Sequence, residues 1–402
     1  MVEIDRDRLG TPPESESSGP ERQREAKAYA RIRRRLMLAE LVLGAAYLLA
    51  WMLAGWSTRL ANGLRGPDAR GWLTFGPHWT VQLLLFALGL ALPWFLLTLP
   101  LRFFSEYRLP HRFGLSNQTL RGWVSDLLKA GLLSAALGIP LLLGLYAFLR
   151  AAGESWWLWA GLAYSLFGIV LTSLAPILLM PIFYKLRPLG DEHRELEQRL
   201  RALAARAGTQ VRGVFTFDMS RRTKAANAAL AGLGRTRRIL LGDTLLAEFS
   251  PDEIETIMAH ELAHHVHGDI PVGILLQSGL NLLSFYLASL GLAWLTRTYR
   301  WSSPSDPAAL PGLFICLALI GLLSMPAINA YSRWRESRAD EYALILTRKP
   351  EAFARAMVRL ADQNLAEADP PAWVVWLLHG HPPLKARIEK ARRYGERPVG
   401  AF

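Results

Sequence analysis

The residues best suited to do chemistry are 260–264, His-Glu-Leu-Ala-His, in which two histidines four positions apart flank a glutamate. On a helix, positions i and i+4 share one face, so both imidazoles can bind the same zinc ion. The glutamate then lies beside the metal, where a carboxylate can act as general base toward a water made acidic by zinc. The spacing therefore predicts a zinc hydrolase site with His260 and His264 as ligands and Glu261 as the base.

The helix that must carry these residues has a recognisable start. Ser250, Pro251 and Glu253 stand where the N-cap, first and third helical residues would be. A serine N-cap with glutamate at N3 is a capping box, and proline is favoured at N1. We therefore expect one helix from this point through His264.

A catalytic zinc needs a third protein ligand and an open fourth position. Glu336, in the segment Glu-Ser-Arg-Ala-Asp at 336–340, is the best candidate, provided that its helix packs on the first one. Asp340, one turn later, could accept a hydrogen bond from the outward nitrogen of a ligand histidine. Spacing alone slightly favours a plainer interpretation, in which Glu336 and Asp340 are exposed and pair with Arg333 or Arg335.

Other residues compete for, or complete, this site. His267 lies on roughly the same face as His260, but three ligands from one straight helix fit a tetrahedral ion badly. His381 and Arg387, in His-Pro-Pro-Leu-Lys-Ala-Arg at 381–387, are candidate donors to a developing oxyanion. A His-Pro-Pro turn before a basic helix is also common as plain structure.

The elements that must hold the site belong to a membrane protein. Of the 402 residues 51% are apolar, and long apolar runs alternate with basic stretches. Six runs, each of about 20 residues, predict membrane spans near 36–56, 79–101, 127–149, 156–180, 270–295 and 310–330. The net charge of +12 fits basic membrane flanks better than a nucleic-acid surface. The single cysteine, Cys316, excludes an intrachain disulfide.

Basic residues before the first run, Arg31 and Arg33 to Arg35, favour a cytosolic N-terminus. Alternation over six spans then places the C-terminus and residues 260–264 on the cytosolic side as well.

The same analysis divides the chain into five parts. Residues 1–35 are predicted to be a disordered basic tail, because they are polar, charged and contain proline and serine. The other parts are four membrane helices (36–185), a soluble catalytic domain (186–269), a membrane hairpin (270–330) and a cytosolic helical segment (331–402). In the soluble domain a helix over 195–205 and strands near 211–217, 226–230 and 237–241 predict a small α+β unit.

These motifs, in this order, resemble the integral-membrane zinc metallopeptidases of the CAAX prenyl endopeptidase type. The family's H-E-x-x-H corresponds to 260–264, its E-x-x-A-D to 336–340 and its H-P-P-x-x-x-R to 381–387. Its Asn-Ala strand, which precedes a basic turn, corresponds to Asn227 and Ala228. The resemblance covers nearly the whole chain after the tail.

The resemblance implies a mainly α-helical polytopic membrane protein with a small zincin-like α+β domain. Its helices would enclose a large water-filled chamber, although eukaryotic members have seven spans against the six counted here. It implies one Zn²⁺ per chain with Glu336 as third ligand, and His381 and Arg387 as transition-state donors. It also implies that Asn227 and Ala228 bind the substrate backbone by strand addition.

The expected function is a zinc endopeptidase that acts near the cytosolic membrane face. Its partners would be the lipid bilayer and peptide or protein substrates, including prenylated C-terminal peptides, but no nucleic acid. One alternative is a metalloprotease for the quality control of membrane proteins. A non-enzymatic alternative is a membrane scaffold or channel with a structural zinc site.

Overall fold

The computed structural model describes residues 19–65, 78–232 and 237–396. Its helices, in chain order, are α1 Pro20–Leu53, α2 Trp56–Arg65, α3 Trp79–Arg102, α4 Leu109–Arg112, α5 Leu120–Ala151, α6 Trp156–Leu174, α7 Met180–Phe183, α8 Arg194–Arg206, α9 Asp243–Glu248, α10 Pro251–Val266, α11 Asp269–Tyr299, α12 Leu310–Thr347, α13 Pro350–Asn364, α14 Ala372–Leu378 and α15 Leu384–Gly395. Its strands are β1 Leu186–Pro188, β2 Gly213–Phe217, β3 Ala228–Ala231 and β4 Arg238–Gly242.

Six helical segments of the described ranges are long and apolar enough to cross a membrane, which confirms the six predicted spans. They cover 20–53, 79–112, 120–151, 153–174, 269–299 and 307–347. Most of these segments extend past the predicted apolar runs into polar sequence. The extension is longest in α12, which continues without a break from the membrane span to Thr347.

The prediction of a disordered tail is wrong for residues 20–35, and residues 1–18 lie outside the described part. Helix α1 begins at Pro20, and Ala26 and Tyr29 are buried against Leu109 and Leu365. This polar stretch is rich in good helix formers and continues into a membrane helix, so it needs no separate nucleation. Composition alone cannot show the apolar contacts that hold it.

The four strands form one small sheet in the order β1-β2-β4-β3. Strand β2 is parallel to β4, whereas β1 and β3 pair antiparallel with β2 and β4. The three strands predicted from sequence are therefore present, each within about two residues of the expected bounds. Strand β3 lies at the edge of the sheet and pairs only with β4 among the described strands.

One apolar core joins the sheet to helices from two distant parts of the chain. It includes Leu200, Ile239 and Met258 on one side and Ala343 and Phe353 on the other. The predicted soluble domain at 186–269 therefore does not form its core alone, because α12, α13 and α15 complete it. Packing of α10 on α12 is part of this core.

Helix α10 begins with the capping box that the sequence predicts. The backbone N–H of Glu253 donates to Ser250 Oγ at 3.4 Å, and that of Ser250 donates to Glu253 Oε2 at 2.8 Å. Two backbone donors that the helix itself leaves unpaired are thereby satisfied. The cap fixes where α10 starts and hence which face carries His260 and His264.

We expect the Ser250→Ala variant to lower the free energy of unfolding by about 1 kcal/mol, because it removes one half of the capping box. The apparent melting temperature of the purified protein in detergent should fall by a few degrees. Ser250→Asp is the matched control, since aspartate is an equally good N-cap. An unchanged melting temperature in Ser250→Ala would mean that the cap does not stabilise α10.

Candidate active site

Two histidines of α10 and a glutamate of α12 meet where these helices pack in the apolar core described above. The nearest ligand atoms of His260, His264 and Glu336 all lie within 4.8 Å of one another. His260 Nε2 is 3.0 Å from Glu336 Oε2, and His264 Nε2 is 3.5 Å from Glu336 Oε1. Three donors from two packed helices thus converge on one point.

The exposed-helix interpretation of Glu336 does not hold. Its residue surface is only 9% exposed, and its carboxylate faces the histidines. Arg333 instead donates to the backbone carbonyls of Val375 and His379, and Arg335 pairs with Asp269.

Each ligand histidine is oriented by a carboxylate behind it. His260 Nδ1 lies 2.9 Å from Asp340 Oδ1, and His264 Nδ1 lies 2.8 Å from Asp269 Oδ2. Nδ1 of each ring can then donate, which leaves the Nε2 lone pair free to face the common point. Two imidazole nitrogens and one carboxylate oxygen are a donor set that suits zinc, so the residues fit a catalytic zinc ion.

Asp269 is a functional candidate that the sequence analysis did not identify. It is the first residue of α11 and is 4% exposed. Between it and α10, Gly268 adopts φ 66°, a left-handed conformation that favours glycine and turns the chain back. A Gly-Asp pair shortly after the second histidine is the signal that could have found it.

The charges around the site favour a cation. Burial of the His260 ring opposes its protonation, but hydrogen bonds to Asp340 and Glu336 outweigh this and raise the pKa of His260 to about 9. Burial also raises the pKa of the Glu261 carboxyl, against the nearby histidines, which lower it. A carboxylate with a raised pKa accepts a proton more readily, as a general base must.

The structure places Arg387 behind His260. Its Nε and Nη2 donate to the two oxygens of Asp340 at 2.9 and 2.6 Å, and Nη2 lies 3.5 Å from His260 Nδ1. Nδ1 is on the opposite edge of the imidazole from the Nε2 that faces Glu336. A two-point pairing with a buried carboxylate is the arrangement that a guanidinium prefers. The geometry therefore favours Arg387 as a support for the Asp340–His260 pair over a direct oxyanion donor.

His381 lies at the open side of the site. Its Nε2 is 3.3 Å from Glu336 Oε2, and its side chain is 67% exposed. A substrate bound there could reach it. His267 does not belong to the cluster of His260, His264 and Glu336, and its ring packs against Tyr342 at 5.4 Å between centroids.

Asn227 and Ala228 stand at the start of the edge strand β3. The backbone carbonyl of Asn227 accepts a hydrogen bond from Gly242 N at 2.9 Å, and Ala228 pairs with Leu241 in β4. Along β3 runs a largely apolar cavity of about 650 Å³, lined also by residues of β2, α6 and α11. This cavity and strand β3 lie beside α10, whose His265 side chain hydrogen-bonds the backbone of Leu230 in β3.

Comparison with known families covers almost the whole chain. The sequence model of Peptidase family M48 matches residues 191–394. A second model, described as CAAX prenyl protease N-terminal with five membrane helices, matches residues 8–185. The described residues of that stretch contain four helical segments able to span a membrane.

Individual relatives agree with these families. The uncharacterized metalloprotease YhfN of Bacillus subtilis is 30% identical over 326 residues, which cover 80% of this chain and 76% of that protein. The probable CAAX prenyl protease 1 of Schizosaccharomyces pombe is 28% identical, over 75% of this chain and 64% of its own length.

The fold has a solved counterpart. The crystal structure of Ste24p from S. mikatae aligns with a TM-score of 0.80 at 23% identity, covering 96% of this chain and 92% of that one. Both halves of the chain, the membrane helices and the α+β core, are thus found together in a known architecture. With the matches above, this chain belongs to peptidase family M48 and is a multi-pass membrane metallopeptidase.

Proposed function

We propose that this metallopeptidase is a zinc endopeptidase that cuts peptides at the cytosolic surface of its membrane. His260, His264 and Glu336 would hold one Zn²⁺, and Glu261 would be the general base. The observation that carries the proposal is the convergence of three ligand atoms within 4.8 Å, with Glu261 next to the first ligand.

The bound zinc would supply Lewis acidity, which makes a water more acidic and polarises a carbonyl. Glu261 accepts the proton of the attacking water on its carboxylate and later gives it to the leaving amine. His381, on the open side, donates to the oxygen that gains negative charge. Asp340 and Asp269 hold the two imidazoles at Nδ1, and Arg387 fixes Asp340.

Substrate would bind along β3. A peptide that adds to the outer edge of this strand, near Asn227 and Ala228, gains backbone hydrogen bonds without regard to its sequence. The apolar cavity along β3 favours substrates with large apolar groups. Together with the CAAX prenyl protease relatives, these features support prenylated C-terminal peptides as substrates.

Basic residues that precede the first apolar stretch support the proposed orientation. Arg31, Arg33, Arg34 and Arg35 immediately precede the apolar part of α1. Because such residues are retained in the cytosol, we assign the N-terminus, the catalytic core and the C-terminal helices to the cytosolic side.

The Glu261→Gln variant tests the mechanism. We expect peptide hydrolysis to fall by about 10²- to 10⁴-fold, because the amide cannot take up the proton of the attacking water. Bound zinc, measured by elemental analysis of purified protein, should stay at one per chain. Equal hydrolysis rates in the variant and the wild type would refute the role of Glu261.

Two further variants separate metal binding from proton transfer in the same assay. His260→Ala and Glu336→Ala should each lose zinc along with activity, because each removes one ligand. The control is His267→Ala, whose side chain lies off the site. Full zinc retention in both ligand variants would contradict the assigned donor set.

A substrate comparison tests the proposed class. With purified protein in lipid nanodiscs, we expect a farnesylated C-terminal peptide to be cleaved faster than the same peptide without the lipid, because its apolar group fills the cavity along β3. An unstructured membrane protein serves as the third substrate. Preferential cleavage of that protein would instead favour a quality-control peptidase.

A double-mutant cycle tests the position of Arg387. Arg387→Ala and Asp340→Asn should each cost about 10- to 100-fold in activity or zinc affinity, as is usual for residues that orient a ligand. Because both act through the same imidazole, the double variant should lose much less than the product of the two effects. Multiplicative losses would show that Arg387 acts separately, as an oxyanion donor would. Arg393→Ala, exposed on the same helix, is the control.

A further inference from the structure

Helix α14 is made only of apolar residues, with the sequence AWVVWLL, yet three of these seven residues are exposed. Val374 is buried, at 1% exposed, and anchors one side of the helix. On the other side Trp373 and Trp376 are 61% and 59% exposed. Two large exposed indoles on one short apolar helix are unusual on a surface that faces water, where exposed apolar side chains are normally scattered.

Helix α12 fixes the depth of α14 relative to the membrane. Asn329 Nδ2 donates to the carbonyl of Leu377 at 2.6 Å, and Arg333 donates to that of Val375 at 2.8 Å. Asn329 is the first amide or charged side chain of α12 and lies at the end of the span predicted near 310–330, so it marks the point where α12 leaves the hydrocarbon. The end of α14 is therefore held at that level.

Helix α1 gives an independent measure of the same depth. Arg34 forms an ion pair of 2.8 Å with Glu367, shortly before α14 begins. The apolar part of α1 starts two residues later, at Leu36. Two membrane helices thus place α14 at the boundary between hydrocarbon and water, at the end of the bundle that carries the catalytic core.

We infer that α14 lies in the membrane interface, with Trp373 and Trp376 inserted at the level of the lipid headgroups. Indole rings favour this zone because they combine a large apolar body with one polar N–H group. The exposed cations Arg31, Arg33 and Arg35, next to Arg34 in the chain, would attract anionic headgroups to this end of α1. The lipid bilayer covers this surface of α14. The surface continues into the lipid-facing side of α12.

Through α14, contact with the bilayer would fix the position of His381 in the active site. His381 follows the end of α14 by three residues, and Gly380 lies so close to α12 that an added Cβ would be 3.1 Å from Ser332 Oγ. The loop between α14 and His381 is therefore held close to α12. On the proposed function, in which His381 contacts the substrate, lipid contact at Trp373 and Trp376 positions that histidine.

Spin-label accessibility tests the insertion directly and does not depend on peptidase activity. In a Cys316→Ala background, which removes the only cysteine, a nitroxide is attached at Trp373→Cys or Trp376→Cys in nanodiscs. Leu323→Cys on the membrane part of α12 and Arg393→Cys on α15 are the lipid and water controls; both native side chains are well exposed. We expect the ratio of oxygen to nickel-chelate accessibility at 373 and 376 to lie between the controls.

A ratio equal to that of the Arg393→Cys control would show that α14 stands in water and would overturn the inference. Low accessibility to both reagents would also overturn it, because the surface would then be covered by protein, such as a second copy of this chain.

The link to His381 has its own test. Trp373→Ser/Trp376→Ser should lower kcat in nanodiscs by about tenfold, since small displacements of a catalytic group are costly, while zinc content stays constant. The double Phe variant should restore activity, because phenylalanine also enters the interface. Trp294→Ser is the control. It removes an exposed indole near the end of α11 that is opposite to the site residue Asp269. Full activity of the serine variant would refute the positioning role and leave the spin-label result to decide the insertion.

Discussion

Packing of α10 on α12 is the contact on which the active site depends. The two histidines come from one helix and Glu336 from another, 76 residues later in the chain. Leu262 and Met258 of α10 share a core with Ala343 and Leu344 of α12. Because interiors are close-packed, these contacts leave the two helices little freedom to slide. The position of the three ligand atoms is thus set by apolar packing more than by the ligands themselves.

Around this contact, buried charges are arranged in a fixed order. Three carboxylates, Glu336, Asp340 and Asp269, surround two imidazoles, and Arg387 and Arg335 stand behind the aspartates. Buried carboxylates are costly unless each has partners. Here each has at least one, and the remaining acceptor capacity of Glu336 points at the place where a cation would sit. The ion pairs that compensate the buried charges are therefore the same ones that orient the ligands of the site.

The sequence predicts features that depend on residues close together in the chain. It does not predict which faces of two distant helices pack together. Spacing and composition predict the capping box at Ser250, the i and i+4 histidines and the six spans. The described residues contain the capping box and six segments able to span a membrane. Spacing alone leaves Glu336 ambiguous, because it cannot tell which face of α12 meets α10. For the same reason the sequence does not reveal Asp269, or the pairing of Arg387, predicted only as an oxyanion donor, with Asp340. The helix at residues 20–35 was missed because composition does not reveal its buried contacts.

Continuity of the helices explains how a soluble-type core is held at a membrane. Helix α12 runs unbroken from its apolar span through Glu336 to Thr347, and α11 begins at Asp269, which orients His264. Both helices that enter the membrane next to the site thus contribute a side chain to it. A helix transmits position along its axis because each residue adds a fixed rise of about 1.5 Å. Glu336 lies seven residues beyond Asn329, so the site stands roughly 10 Å beyond the point where α12 leaves the hydrocarbon. On the proposed function, the helices would thus hold the catalytic centre close to the membrane surface, where it meets a peptide whose lipid-modified end stays in the membrane.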